Sequence, residues 1–109
     1  MAAPRLFHIA TLDEWHAAGA DYSPAAFTHA GFIHCSHLEQ VEATRARHYG
    51  GRDDLVLLEI DPDRLSSPVI VEPSPTTGER YPHVYGRIER TAVAAVHPFV
   101  EGDGFANVG

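Results

Sequence analysis

The chain has 109 residues, 44% apolar and 21% charged, and acidic side chains outnumber Lys and Arg by 15 to 8, giving a formal net charge of −7. That length and balance fit one globular domain with its own core and exclude a largely disordered chain. A negative field of this size repels polyanions and argues against binding along a DNA or RNA backbone, although a few local donors can still hold a single nucleotide or phosphate ester.

Residues 5–10, RLFHIA, read as a first strand. In TLDEWHAAG, Thr11 and Glu14 stand at capping-box spacing, which predicts a short helix starting there and stopped by Gly19. DYSPAAFTHAG (21–31) reads as a loop punctuated by Pro24 and Gly31. GFIHCS (31–36) is a second strand. Ser36 and Glu39 repeat the capping-box spacing, so the longest helix is expected to start at Ser36. Leu38, Val41 and Arg45 mark one face of it, extended by the stems of His48 and Tyr49, and Gly50 and Gly51 supply the stop.

DLVLLEID (54–61) is almost continuously apolar, the pattern of a central strand covered on both faces. DPDRLSSP turns the chain into a further strand, VIVE (69–72). PSPTTGERYP (73–82) is too broken by proline and glycine for regular structure. HVYG (83–86) is short and extended, a last strand lies around 93–97, and EGDGFANVG (101–109) reads as a flexible C-terminal tail. The expectation is a single domain over 1–100 of the α+β class, a small mixed or antiparallel sheet with two early helices against it.

Cys35 is the only cysteine, so no internal disulfide can form, as suits a reducing compartment. No stretch approaches the ~20 apolar residues of a membrane helix, and a cytoplasmic protein without a membrane partner is expected. The sequence leaves the oligomeric state open.

Chemistry concentrates on the histidines, of which there are eight. Strand alternation puts His34 on one face with Phe32 and Ser36, and Ile33 with Cys35 on the other. If the second face is core, Cys35 is a small inert hydrophobe, separated from His34, and a Cys–His dyad is excluded. Ser36 has two readings: a helix cap, or a ligand contact at a helix N-terminus. His8 in LFHIA and His83 in YPHVYG repeat the pattern of an imidazole among apolar neighbours, with Tyr85 on the face of His83. One such histidine is ordinarily a satisfied half-buried residue, whereas three together suggest a shared cleft.

Glu72, at a strand end before Pro73, is the best-placed acid–base carboxylate. Glu59 interrupts an apolar run and should be paired or at an edge. His16, His29, His48 and His97 read as surface or edge residues. A zinc site is the weakest reading, since H-E-x-x-H, H-x-H and C-x-x-C are all absent, as are the P-loop, dinucleotide and nucleophile-elbow motifs.

The ordered set HIA (8–10), GFIHCS (31–36), DDLVLLEIDPDRL (53–65), VIVEP (69–73), YPHVYG (81–86) and AVAAVHPF (92–99) resembles the bacterial family catalogued as domain of unknown function 952. That family in turn resembles the ADP-ribosyltransferase-like superfamily, which includes RNA 2′-phosphotransferases. The resemblance implies a split β-sheet cleft for NAD or an ADP-ribosylated intermediate, with His8 as the ligand-orienting first-strand histidine. His34 with Ser36, and His83 with Tyr85, would line the rest. The late-strand glutamate and the arginine set of those enzymes have no counterpart, Glu101 lying in the tail.

The expectation is therefore a His-lined cleft for a nucleotide-like or phosphorylated small molecule. His34, His83 and Glu72 are its candidate catalytic groups, and His8, Ser36 and Tyr85 its ligand contacts. The chemistry would be ADP-ribosyl or phosphoryl transfer, with NAD the candidate cofactor. A non-catalytic binding module using the same cleft is the alternative.

Overall fold

A computed structural model describes residues 4–108. Two small antiparallel sheets share the work. The first contains β1 (Leu6–Thr11), β4 (Leu55–Ile60) and β8 (Val93–Pro98), in the order β1–β4–β8. The second contains β3 (Ile33–His34), β5 (Val69–Pro73) and β6 (Arg80–Val84), in the order β3–β6–β5. A two-residue ladder, β2 (Asp21–Tyr22) with β7 (Ile88–Glu89), adds a third pairing. The helices are α1 (Leu12–Ala17), α2 (Phe27–Ala30) and α3 (Val41–Tyr49). The α+β class and the antiparallel pairing agree with the sequence reading. None of the described helices is long and apolar enough to cross a membrane.

The run at 54–61 is the central strand its composition indicated. Val56, Leu58 and Ile60 of β4 join Leu6 and Ala10 in one apolar cluster, while Leu55 and Leu57 join Phe7 and Ile9 in another. Successive side chains go to opposite faces, so a continuous apolar run buries both.

Helix α1 starts at the expected Thr11 cap, with only the Thr11 half of the capping box formed. The Glu14 amide donates to Thr11 Oγ1 (3.1 Å), and the Thr11 hydroxyl donates to Glu14 Oε1 (3.2 Å). It stops at Ala17, two residues before the expected Gly19, because Arg90 takes the end. Its guanidinium donates to the carbonyls of Ala18 (2.7 Å) and Gly19 (2.9 Å) and lies 4.0 Å from the Trp15 ring centroid. Gly31, at φ +79°, closes the four-residue α2 in a conformation open to glycine.

The long helix departs from expectation at its start. Ser36 does not cap it: the Ser36 amide donates to the Phe7 carbonyl (2.7 Å) and the Phe7 amide to the Ser36 carbonyl (2.9 Å). That single bridge joins the two sheets. The cap moves one residue on, where the His37 amide donates to Gln40 Oε1 (2.9 Å) and a 3₁₀ turn (Leu38–Gln40) leads into α3. Leu38, expected on the buried face, is exposed, and the buried positions are Val41 and Thr44.

Strand β6 begins at Arg80, inside the segment read as irregular. Pro82 is accommodated mid-strand because its carbonyl still accepts from the Cys35 amide (3.0 Å), although it has no N–H to return. The described part of the expected flexible tail also differs. Phe105 is 3% exposed and packs with Phe7, Ile9 and Val41, and its amide donates to Glu42 Oε2 (2.8 Å). Gly104 (φ +59°) passes so close to Glu42 and Arg45 that a Cβ would collide with both.

Candidate functional site

A cleft of about 420 Å³ opens along the free edge of β1, where Ser36 bridges to Phe7. Phe7, His8 and Ile9 form its floor, Phe32, His34 and Ser36 one side, and Thr44, His48 and Tyr49 of α3 another. Glu14 and the small residues Pro24, Ala26 and Ala30 close the remaining wall. Mixed apolar and aromatic walls with a few convergent polar groups are the usual make-up of a small-molecule pocket.

His8 is in the cleft, but both its ring nitrogens are committed. Nδ1–H donates to the His34 carbonyl (2.7 Å), which leaves Nε2 to accept from the Tyr22 hydroxyl (2.9 Å). Burial pushes its pKa down and holds it neutral, and burial likewise raises that of Tyr22. His8 therefore fixes the backbone of His34 and gives the cleft ring surface. Ser36 is similarly engaged, its hydroxyl donating to Thr44 Oγ1 (3.3 Å).

His34 is different. It lines the cleft, and its Nε2 is the one buried side-chain polar atom among the described residues with no hydrogen-bond partner. Desolvation, reinforced by the neighbouring imidazoles of His83, His8 and His48 and by Arg47, lowers its pKa to about 4. The ring is neutral at ordinary pH and can present either a donor or an acceptor at Nε2. Ile33 and Cys35 face the core as alternation requires, and burial pushes the Cys35 thiol up to about 12, so it is inert.

His83 pairs with His34 across the β3–β6 ladder, their ring centroids 5.4 Å apart, yet it does not line the cleft. Its Nδ1–H donates to Glu72 Oε1 (2.8 Å), and the Tyr85 hydroxyl donates to the same oxygen. Those two donors hold the Glu72 carboxyl below the usual carboxylate range. Phe32 connects the two groups, lining the cleft and stacking on the His83 ring at 4.0 Å. The six sequence-derived residues thus fall into two adjoining sets. His8, His34 and Ser36 are at the cleft, and Glu72, His83 and Tyr85 are on the sheet face beside it.

Sequence reasoning missed Glu14 and His48. The sequence marks Glu14 only as a capping partner, but the chain at 24–26 folds over it, and the Ala25 amide donates to its Oε2 (2.8 Å). His48, read as a surface residue, is exposed and lines the cleft from the last turn of α3. Its spacing four residues after Thr44 was a usable signal. Glu59 is paired, with His97 Nε2 at 2.9 Å. No group of three or more His, Cys, Asp or Glu among the described residues is placed to hold a metal ion.

A family model described as "Protein of unknown function (DUF952)" matches residues 9–96. The chain belongs to this family. Its fold is similar to protein CC0527 from Caulobacter crescentus, a structural-genomics target. The crystal structure of CC0527 is 30% identical over 92% of this chain and 90% of that one, with a TM-score of 0.80. The solution NMR structure of CC0527 is likewise 30% identical, covering 92% and 89%, with a TM-score of 0.76. No curated protein matches the chain. The region matched to DUF952 contains Glu14, His34, His48, Glu72, His83 and Tyr85 and begins one residue after His8.

Proposed function

We propose that this DUF952 cleft binds a nucleotide-like small molecule, seating a base or nicotinamide ring among Phe32, Tyr49 and the imidazoles, with His34 making the polar contact. The observation that carries this reading is the partnerless Nε2 of a cleft-lining histidine. A buried polar atom left unsatisfied costs roughly 1–3 kcal/mol, so a turn of the His34 ring that brings Nε2 to a ligand group gains affinity there. A neutral imidazole suits an amide or base edge better than a phosphate. No arginine lines the cleft, and the chain contains no lysine.

Within the ADP-ribosyltransferase-like resemblance, this lining would take a ring end of NAD with the diphosphate left outside it, and fits ADP-ribosyl transfer better than phosphoryl transfer. Glu72 would hold the His83 tautomer in which Nε2 is free, the form a general base needs. A non-catalytic binding module is the second reading, supported by the position of His83 and Glu72 outside the cleft lining.

Titration with NAD, ADP-ribose, adenosine and nicotinamide, followed through the imidazole NMR signals, tests the binding. The His34 and His48 signals are expected to move with at least one ligand, and binding is rejected if all four leave them unchanged. Release of nicotinamide from NAD, lost in His83→Ala, would favour the enzyme. Binding without turnover would favour the module.

A further inference from the structure

The cleft reading leaves open what kind of ring it prefers, and the charge at its wall bears on that. Glu14 is the only acidic residue of the lining, and no Arg or Lys faces it there. The basic residues near the cleft are directed elsewhere. Arg52, beside Tyr49, is paired with Asp54, and Arg47 donates to the Tyr81 hydroxyl (3.3 Å). Glu14 takes one hydroxyl donor and one amide donor, neither of them charged, and the one nearby cation that feels its charge, Arg52, is bonded to Asp54 instead. Phe7, Phe32 and Tyr49 line the same cleft, and aromatic ring faces carry negative potential. A carboxylate with aromatic rings around a partly enclosed space is the arrangement that stabilises an organic cation.

We propose that the cleft selects a planar organic nitrogen cation of the pyridinium type, its charge held between the Glu14 carboxylate and the surrounding aromatic rings. This rests on the cleft being a ligand site at all. It goes beyond that reading by assigning Glu14 a specificity role and by ranking cationic rings above neutral rings of the same shape.

The test uses an isosteric pair, 1-methylnicotinamide and 3-methylbenzamide, which share size and carboxamide and differ in the ring charge. At pH 8, where an ordinary histidine is neutral, the cation is expected to bind about tenfold more tightly. Raising the salt should weaken the cation and leave the neutral probe unchanged. Glu14→Gln preserves the local contacts, since its amide oxygen can accept from Ala25 and its NH₂ donate to Thr11 Oγ1. In that variant the two affinities should converge while 3-methylbenzamide binds as in the wild type, which also reports an intact cleft. The wild-type salt series tests the charge independently of any variant. Equal affinities in the wild type, or a cation preference that survives in Glu14→Gln, would overturn the selection while leaving the cleft reading in place. Failure of both probes to bind would overturn the two together.

Discussion

In the sheet β1–β4–β8 the middle strand is apolar on both faces. In β3–β6–β5, one face carries Phe32, His34, Tyr81, His83 and Glu72, and the outer strand leaves Val69, Ile70 and Val71 exposed. The first sheet has six-residue strands in continuous register along β1 and β4. The second has a two-residue strand and a proline in its middle strand. Aliphatic side chains on both faces make β4 the centre of the apolar core. The second sheet buries Ile33, Cys35 and Val84 on one side and Tyr81 and His83 on the other, so its second layer is packed but polar. The cleft lies where the two meet: β1 of the first sheet brings Phe7, His8 and Ile9, β3 and the residue before it bring Phe32 and His34, and α3 adds His48.

The sharpest way to break this contrast is Leu58→Ala. Leu58 is fully buried in the central strand, and its loss should cost about 2–5 kcal/mol in denaturant unfolding. A loss below 1 kcal/mol would show that β4 is not the core. Next is Arg90→Ala, which removes the carbonyl contacts at the end of α1 and the stacking on Trp15. The expected loss is about 1–2 kcal/mol, and a variant as stable as the wild type would dismiss this arginine cap.

A smaller effect should appear with acid. The pKa of His34 is lowered in the folded state, so between about pH 6.5 and about pH 4 the unfolded chain binds the extra proton. Stability from this group is complete above the unfolded value and declines as the pH falls through that window. The buried His8 acts in the same direction. His34→Asn should flatten the slope of melting temperature against pH there, and an unchanged slope would remove His34 as its source. The smallest effect belongs to Ile70→Thr. Ile70 is 47% exposed on the edge strand, and its replacement should change stability by no more than about 0.5 kcal/mol.

The sequence was most legible where one local rule governed. The Thr11 cap marked the start of α1, the apolar run marked β4, and alternation separated Ile33 and Cys35 from His34. It was least legible where distant segments compete for the same group. Ser36 has the composition of a cap, but its backbone is taken by Phe7, and the cap passes to His37 and Gln40. Phe105 lies among glycines and acidic residues, and only the pocket formed by β1, β4 and α3 accounts for its burial. Glu14 reaches the cleft because the segment 24–30 folds back over it, a tertiary event with no local signature. Glu72 and His83 are diagonal neighbours across a ladder, within reach of long side chains only once the register is known.

The bond from the Ala25 amide to Glu14 gives the wall of the cleft a built-in reporter. The same carboxylate that would meet a ligand also tethers the 24–26 segment, so occupancy and wall position share one atom group. Amide hydrogen exchange at Ala25 should slow when the cleft is filled, and in the free protein its rate measures how often that wall lifts.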